Sequence, residues 1–340
     1  MLTIRDELRQ QPDALRALAR HLRSDGEALL RALGPLPGRI ILTGMGASFQ
    51  AAWIAALRLR EYGLPAMFIE ASELATYATG LLADETTVLY VSQSGESPEV
   101  GDVAVQLGGR ARLIAITNAP SSMLAQAAAL TLPLQAGPER HMAAKTYSNS
   151  VALLWWLTER WVGREPELDR IEHLAERVAL IQSNDGQTQW LLEAVDVGQG
   201  MALCGHGPHA ATARYGAQLL AQWAKVPALD HSIAALRHGF IEMIEPGFSV
   251  VVVTSGQRAS ASRLLKDLHG YGARAIALQA GSAIAADAIE ARTLDQLPPC
   301  TEYLSPVLDA VALQEYTLAL AGLRGVKPGL RYMQKVVTRR

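Results

Sequence analysis

The sequence predicts an α/β protein made of two copies of one domain, in each of which a parallel sheet is covered by helices on both faces. Two observations predict it. From Arg39 onward short, β-rich apolar runs alternate with helical stretches, the pattern of strands joined by crossover helices. The strand-end glycine turns of the first half then recur at one constant spacing. ILTGMGASFQAAWIAALRL from Ile41 matches ALCGHGPHAATARYGAQLL from Ala202, aligning Gly44 and Gly46 with Gly205 and Gly207. VLYVSQSGES from Val88 matches SVVVVTSGQR from Ser249, aligning Ser94-Gly95 with Ser255-Gly256; both offsets are 161 residues. A chain of 340 residues, at roughly 150 per domain, has room for two such copies with full hydrophobic cores.

In chain order, residues from Ile4 to about Leu33 read as amphipathic helices with a break at Pro12, and Gly34, Pro35, Pro37 and Gly38 close that arm. The first copy supplies five strand candidates, RIILT, AMFIE, TVLYVS, RLIAIT and LTLPL. The expected organisation is therefore a helical arm over 1–33, a first domain over 34–165, a charged linker helix over 166–194, a second domain over 195–325 and a tail over 326–340.

The strand ending in Gly44-Met45-Gly46-Ala47-Ser48 runs straight into a helix, whose free N–H groups attract anions. A dinucleotide fingerprint is the first comparison. It weakens because the third glycine of GxGxxG falls at Phe49, although Glu70 could imitate the ribose-binding acid. The next strand end, Ser92-Gln93-Ser94-Gly95-Glu96-Ser97, concentrates three hydroxyls and an amide on a glycine turn before another helix. Hydroxyl and backbone donors to an anion each contribute on the order of 1.5 to 3 kcal/mol without a lysine or arginine. The pattern points to phosphate, bound by Ser48, Ser92, Gln93, Ser94 and Ser97. Capping and turn formation are the bland alternative for any one of these residues. The second copy keeps the turn but reads Thr254-Ser255-Gly256-Gln257-Arg258, so one phosphate site is expected rather than two.

Charge and cysteine usage narrow the function classes. Against 33 acidic residues stand 31 basic ones, a formal charge of -2, and no basic run precedes Arg339-Arg340. Nucleic-acid binding has no footprint here. Cys204 and Cys300 carry no CxxC or His/Cys spacing, so neither a disulfide framework nor a metal site is expected. The charged start MLTIRDELRQQP is unlike a signal peptide and no apolar run reaches a bilayer span. A cytoplasmic protein without membrane partners is the expectation.

The GMGAS and SQSGES segments resemble the sugar isomerase (SIS) family, in particular the tandem-SIS isomerase half of glucosamine-6-phosphate synthase and its relatives, and the similarity extends over nearly the whole chain. The resemblance implies two SIS domains of flavodoxin-like, three-layer α/β/α architecture, each with a mostly parallel five-stranded sheet. It implies a phosphorylated sugar or amino sugar as ligand, held by the five residues named above, with no cofactor. It also implies a homodimer that shares its active sites, with no glutaminase domain in this chain. Relatives of this kind include amino-sugar-phosphate deaminases, ketose/aldose isomerases and fructosamine-6-phosphate deglycases. The family's ring-opening histidine corresponds to His238 in LRHGF, and its imine-forming lysine to Lys335 in YMQKVVT.

The proton-transfer carboxylate is where the sequence departs. An ungapped match on His238 puts Gln222 at the family's glutamate, and glutamine is no base. Tyr215 and Leu219 replace charged residues at i, i+4, i+7 spacing with Gln222, and Ala235 replaces another carboxylate. A missing general base costs a factor of about 100 to 10,000 in rate. His238, His231, Asp230 and Glu242 are the candidate substitutes, His238 first. His141 to Ala144, before Lys145, also depart from the small and hydroxyl-bearing residues of the family. Two readings follow: a phosphosugar isomerase, deaminase or deglycase, or a catalytically silent phosphosugar sensor.

Overall fold

The computed structural model describes residues 3–254, 258–285 and 300–332. The fold divides into two compact units, one reaching to Ala175 and the other spanning Glu176–Leu330.

The first unit opens with α1 (Ile4–Arg9) and α2 (Gln11–Leu33). Thr3 and Asp6 cap α1 reciprocally: Asp6 N–H donates to Thr3 Oγ1 at 3.1 Å and Thr3 N–H to Asp6 Oδ2 at 2.8 Å. These bonds hold the Asp6 carboxyl below its ordinary range. The break falls at Gln10, ahead of Pro12, which lies in the first turn of α2, where a missing N–H costs nothing. Gly34, at φ +75, ends α2, and the Arg112 guanidinium bonds the carbonyls of Ala32 and Leu33.

The sheet follows as β1 (Arg39–Gly44), β2 (Ala66–Phe68), β3 (Thr86–Val91), β4 (Arg112–Thr117) and β5 (Leu130–Pro133), in spatial order β2-β1-β3-β4-β5 and parallel throughout. The connections are α3 (Ala47–Glu61), α4 (Ala71–Tyr77), α5 (Pro98–Leu107) and α6 (Met123–Ala127), and α7 (Lys145–Trp161) follows β5. One face of the sheet, with Ile41, Val88, Leu113 and Ala115, is packed under Leu74 of α4 and Val100, Val103 and Leu107 of α5. On the other face α3 lies on β1, α7 lies beside α3 and α2 packs against α7. That makes three layers. α7 is buried along nearly its whole length, as a helix enclosed on all sides must be.

The stretch expected as one linker helix contains two, α8 (Asp169–Gln182) and α9 (Asp185–Ala194), separated where Asn184 caps α9 by accepting from Gln187 N–H at 3.0 Å. The second unit repeats the alternation with β6 (Met201–Gly205), α10 (Pro208–Leu219), β7 (Leu229–Ser232), α11 (Ile233–Arg237), β8 (Ser249–Val253), α12 (Arg258–Gly270), β9 (Arg274–Gln279), β10 (Ser282–Ala285) and α13 (Ser305–Leu323). Four strands, in the order β7-β6-β8-β9, are parallel, and β10 runs antiparallel along β9. The reversal has a local cause. Ala280 and Gly281 join β9 to β10 with φ of +49 and +82, the two left-handed residues of a tight hairpin turn. Ile233 and Leu236 of α11 and Leu264, Leu265 and Leu268 of α12 cover one face of this sheet, and α10 packs against α13 and on β6.

Gly44 leaves no room for a side chain at the end of β1. A Cβ there would stand 2.7 Å from the Val91 carbonyl oxygen and 3.1 Å from Ser48 Cβ. Gly44→Ala should lose about 1–3 kcal/mol of stability in urea unfolding. Gly322→Ala, in a helix with nothing within 4 Å of the added methyl, should be neutral or gain about 0.5–1 kcal/mol.

Candidate functional site

The order β2-β1-β3 sends the chain to opposite sides of β1: α3 leads out to β2, and the following strand returns to the far side. At such a switch point the two connections part, leaving a crevice outside the carboxyl ends of β1 and β3. Gly44 pairs with Val91 at that edge, so Met45–Ser48 and Ser92–Ser97 emerge side by side. Gly46, at φ +51, turns the chain into α3 and places half-buried Ser48 in its first turn.

The second segment is folded by its own side chains. Ser92 Oγ accepts from Gly95 N–H at 3.1 Å, Gly95 takes φ +64, and Ser94 Oγ accepts from Glu96 N–H at 3.3 Å. Each of these hydroxyls keeps its own proton for another acceptor. Ser97 stands at the N-cap of α5 with extended backbone, yet its side chain makes no capping bond to that helix. Its neighbour is the Tyr90 hydroxyl, whose burial drives its pKa up. Glu96 is turned out to solvent, where Oε1 accepts from Met123 N–H at 3.0 Å at the start of α6. Gln93 spends one amide N–H on the Glu139 carbonyl at 3.2 Å and has a second to offer.

The loop from β5 to α7 borders this edge. Asn118 Nδ2 donates to Gly137 O at 2.8 Å, and Ala136 N–H donates to Asn118 Oδ1 at 3.0 Å. Lys145 is buried, with Nζ donating to Gln10 Oε1 and to Pro138 O, each at 2.6 Å. Helix starts, hydroxyls and an amide thus converge on one edge of one sheet, an arrangement equipped to receive an anion.

The expected catalytic positions lie in the second unit. His238 closes α11, exposed, with its N–H on the Ala234 carbonyl at 3.0 Å. Asp230 and Glu242 are also exposed, and His231 stacks on Phe240 with centroids 3.9 Å apart. The packing gives the uncharged residues Tyr215, Leu219 and Gln222 different surroundings. Tyr215 and Leu219 are buried core residues, and Tyr215 OH accepts from Gln314 Nε2 of α13 at 2.8 Å. Gln222 is half-buried in a π-helical turn over Leu220–Ala224, which takes it out of step with α10. Their neutrality therefore reflects burial at two of the three positions. Lys335 and Ser255-Gly256 lie outside the described residues.

One constellation escaped the sequence reading. The 161-residue offset carries Ser48 onto His209, which is buried in the first turn of α10. His209 Nδ1 lies 3.2 Å from Asp309 Oδ2, and Nε2 lies 3.5 Å from Ser305 Oγ. Asp309 Oδ1 also accepts from Gly281 N–H at 2.7 Å. Ser305 Oγ donates to Glu302 O at 3.1 Å. Ser305 is itself buried, so the set braces α10, α13 and the β9–β10 turn rather than presenting a nucleophile. The repeat offset was the signal available: a histidine in place of a serine.

The first unit is thus an α/β domain with hydroxyls, an amide and two helix starts gathered at its switch point. Residues 37–160 match the family model of the SIS domain. Among curated proteins, the chain is 30% identical over 352 positions to glutamine-fructose-6-phosphate aminotransferase (isomerizing) of Aeropyrum pernix, covering 98% of this chain and 56% of that protein. It is 28% identical over 316 positions to the protein of that name from Thermococcus kodakarensis, covering 88% and 52%. The chain spans about half the length of the curated relatives it matches. Among solved structures, glucosamine-6-phosphate deaminase of Thermotoga maritima has a TM-score of 0.79 at 19% identity, over 97% of this chain and 98% of its own. Tagatose-6-phosphate ketose/aldose isomerase of Escherichia coli has 0.79 at 22%, over 96% and 95%. At these identities the structural likeness speaks for the fold. Among the described residues, no helix is long and apolar enough to cross a membrane.

Burial pushes the Asp309 carboxyl up, and His209 draws it part of the way back. A carboxyl raised in the fold contributes most stability below its unfolded value, near 3.8, and less as pH climbs through the raised one. Asp309→Ala should cost about 3–5 kcal/mol, because it leaves His209 and the Gly281 N–H without their acceptor. Asp309→Asn should cost less, and its deficit against the wild-type chain should shrink as pH is raised from about 3 to about 6 in urea titrations. A deficit that widens over that range contradicts the direction.

Proposed function

We propose that the chain binds a phosphorylated sugar or amino sugar, with the phosphate on Ser48, Ser92, Gln93, Ser94 and Ser97, and acts on it as an isomerase, deaminase or fructosamine-phosphate deglycase. The observation that carries the reading is the edge itself: hydroxyls and an amide on two adjacent strand ends, each followed by a helix start. Neutral donors in a partly buried edge suit a dianion, since the bonds are charge-assisted while no side-chain cation has to be desolvated. Relatives named for work on fructose 6-phosphate, glucosamine 6-phosphate and tagatose 6-phosphate support the substrate class.

In this reading His238 opens the sugar ring, acting on the site of a second copy in a homodimer, and Lys335 forms an imine at the carbonyl carbon. Imine formation needs neither metal nor nicotinamide. The proton shift between C1 and C2 falls to His238 or to His231, Asp230 or Glu242, because Gln222 offers no base. A silent sensor is the second reading, and Gln222 favours it: with an amide at the carboxylate position, binding could persist without turnover.

Melting curves with fructose 6-phosphate, glucosamine 6-phosphate and their unphosphorylated sugars test the shared part. A phosphosugar at 100 times its dissociation constant should add about 2.7 kcal/mol of stability, with no shift from the free sugar. Ser94→Ala should abolish most of that gain while leaving the unliganded midpoint near its wild-type value. Equal stabilisation by free sugars overturns the proposal. Ammonia release and aldose/ketose interconversion then separate the readings. If the wild-type chain is silent, turnover gained in Gln222→Glu would assign the defect to the missing base.

A further inference from the structure

We infer that the amino-terminal helix is a working part of the ligand edge, with Glu7 as a positioning residue that acts on Gln93 through a single peptide unit. The inference rests on the reading of Ser48 and Ser92–Ser97 as the phosphate site, and it adds a residue from a segment that neither the SIS match over 37–160 nor the repeat includes.

Glu7 lies on α1 with 2% of its surface exposed. A carboxylate so buried needs strong donors, and one loop supplies them. Oε1 accepts from Arg140 N–H at 2.7 Å. Oε2 accepts from His141 N–H at 3.0 Å and lies 3.1 Å from His141 Nδ1. The Arg140 N–H belongs to the peptide unit that joins Glu139 to Arg140, and the carbonyl of that same unit is Glu139 O, the acceptor for Gln93 Nε2 at 3.2 Å. A trans peptide is planar and rigid, with its N–H and C=O directed oppositely. One unit is therefore gripped from both sides, by Glu7 on its N–H and by the phosphate-site amide on its carbonyl.

The rest of the contact keeps that unit from turning. The Glu139 side chain is committed elsewhere, accepting from Ala144 N–H at 2.9 Å and from Thr146 Oγ1 at 2.6 Å. Gln10 accepts from Lys145 Nζ, and Gln11 Oε1 accepts from Ser148 Oγ at 2.8 Å, both at the start of α7. Fixing the Glu139 carbonyl fixes which amide proton Gln93 spends on the loop, and so where its second N–H points. Without Glu7 the N–H of that unit loses its side-chain acceptor, and the carbonyl on which Gln93 rests is held from one side only.

The test is a double-mutant cycle read on affinity, with fructose 6-phosphate and inorganic phosphate as probes in calorimetry. Glu7→Gln puts an amide NH2 against one of the loop's N–H donors and should weaken phosphosugar binding about tenfold, while Gln93→Ala weakens it by a similar factor. Because Glu7 acts through Gln93, the double variant should bind no more weakly than Gln93→Ala alone. Additive losses overturn the inference. So does a Glu7→Gln chain that melts lower yet binds as the wild type does, which would make Glu7 a stability element and leave the phosphate site standing. Amide exchange in the unaltered protein gives a reading independent of whether the variant folds: saturating fructose 6-phosphate should slow exchange at Arg140 N–H, and unchanged exchange overturns the coupling. Should the wild-type chain bind neither probe, the phosphate-site reading itself fails and takes this one with it.

Discussion

The first unit depends on the close approach of two strand ends. Gly44 and Val91 lie opposite each other in β1 and β3, with no room for a side chain between Gly44 and the Val91 carbonyl. That contact is backbone against backbone, so neither partner can yield by changing a rotamer. It sets the distance between the turn that carries Ser48 and the turn that carries Ser92 to Ser97, and the helices leaving both turns start from it. Hydrophobic burial on the two faces holds the sheet together, but burial is indifferent to where the loops at its edge go. The missing Cβ is what makes that edge specific.

The second half sets different side chains on a similar framework. Gly205 still turns tightly, packed against the His209 carbonyl, and the strand order around it is the same up to β9. At the position of Ser48, however, stands a buried histidine, and a carboxylate from α13 has come in to meet it. The first half leaves Ser48, Gln93, Ser94 and Ser97 half-buried at the sheet edge, and the second spends its polar groups on each other. Backbone geometry is conserved between the halves, and side-chain commitment distinguishes them.

The sequence made the strands and the two turns legible because their signals are local: β-branched runs, glycines at strand ends, serines before helix starts. The same locality explains the failures. Periodicity put Tyr215, Leu219 and Gln222 on one stripe of a helix, yet a stripe does not say whether it faces solvent or a neighbouring helix, and α13 lay on that side. The break expected at Pro12 falls two residues earlier, at Gln10, because proline begins a first turn as readily as it disrupts an interior. His209 and Asp309 are a hundred residues apart, Glu7 and Arg140 still further, and no window of sequence joins them. Only the offset between the copies pointed to His209. For Glu7 there was no signal at all, since a glutamate on an amphipathic helix is ordinarily a solvated one.

A site of neutral donors places unusual weight on such distant supports. A lysine or arginine attracts a phosphate over several ångströms and tolerates a loose loop, because Coulomb attraction falls off slowly and is not directional. Hydroxyls and amides have no such reach: their bonds weaken steeply once the donor is misaligned, so each must already point the right way when the anion arrives. Ser92 and Ser94 are aimed by bonds within their own turn. Gln93 has a longer and freer side chain, and its anchor has to come from outside the turn. Behind the proposed site, buried Glu7, Glu139 and Lys145 hold the loop against which Gln93 rests. In the proposed phosphate site the ionic groups act on the protein, and the neutral groups are left for the ligand.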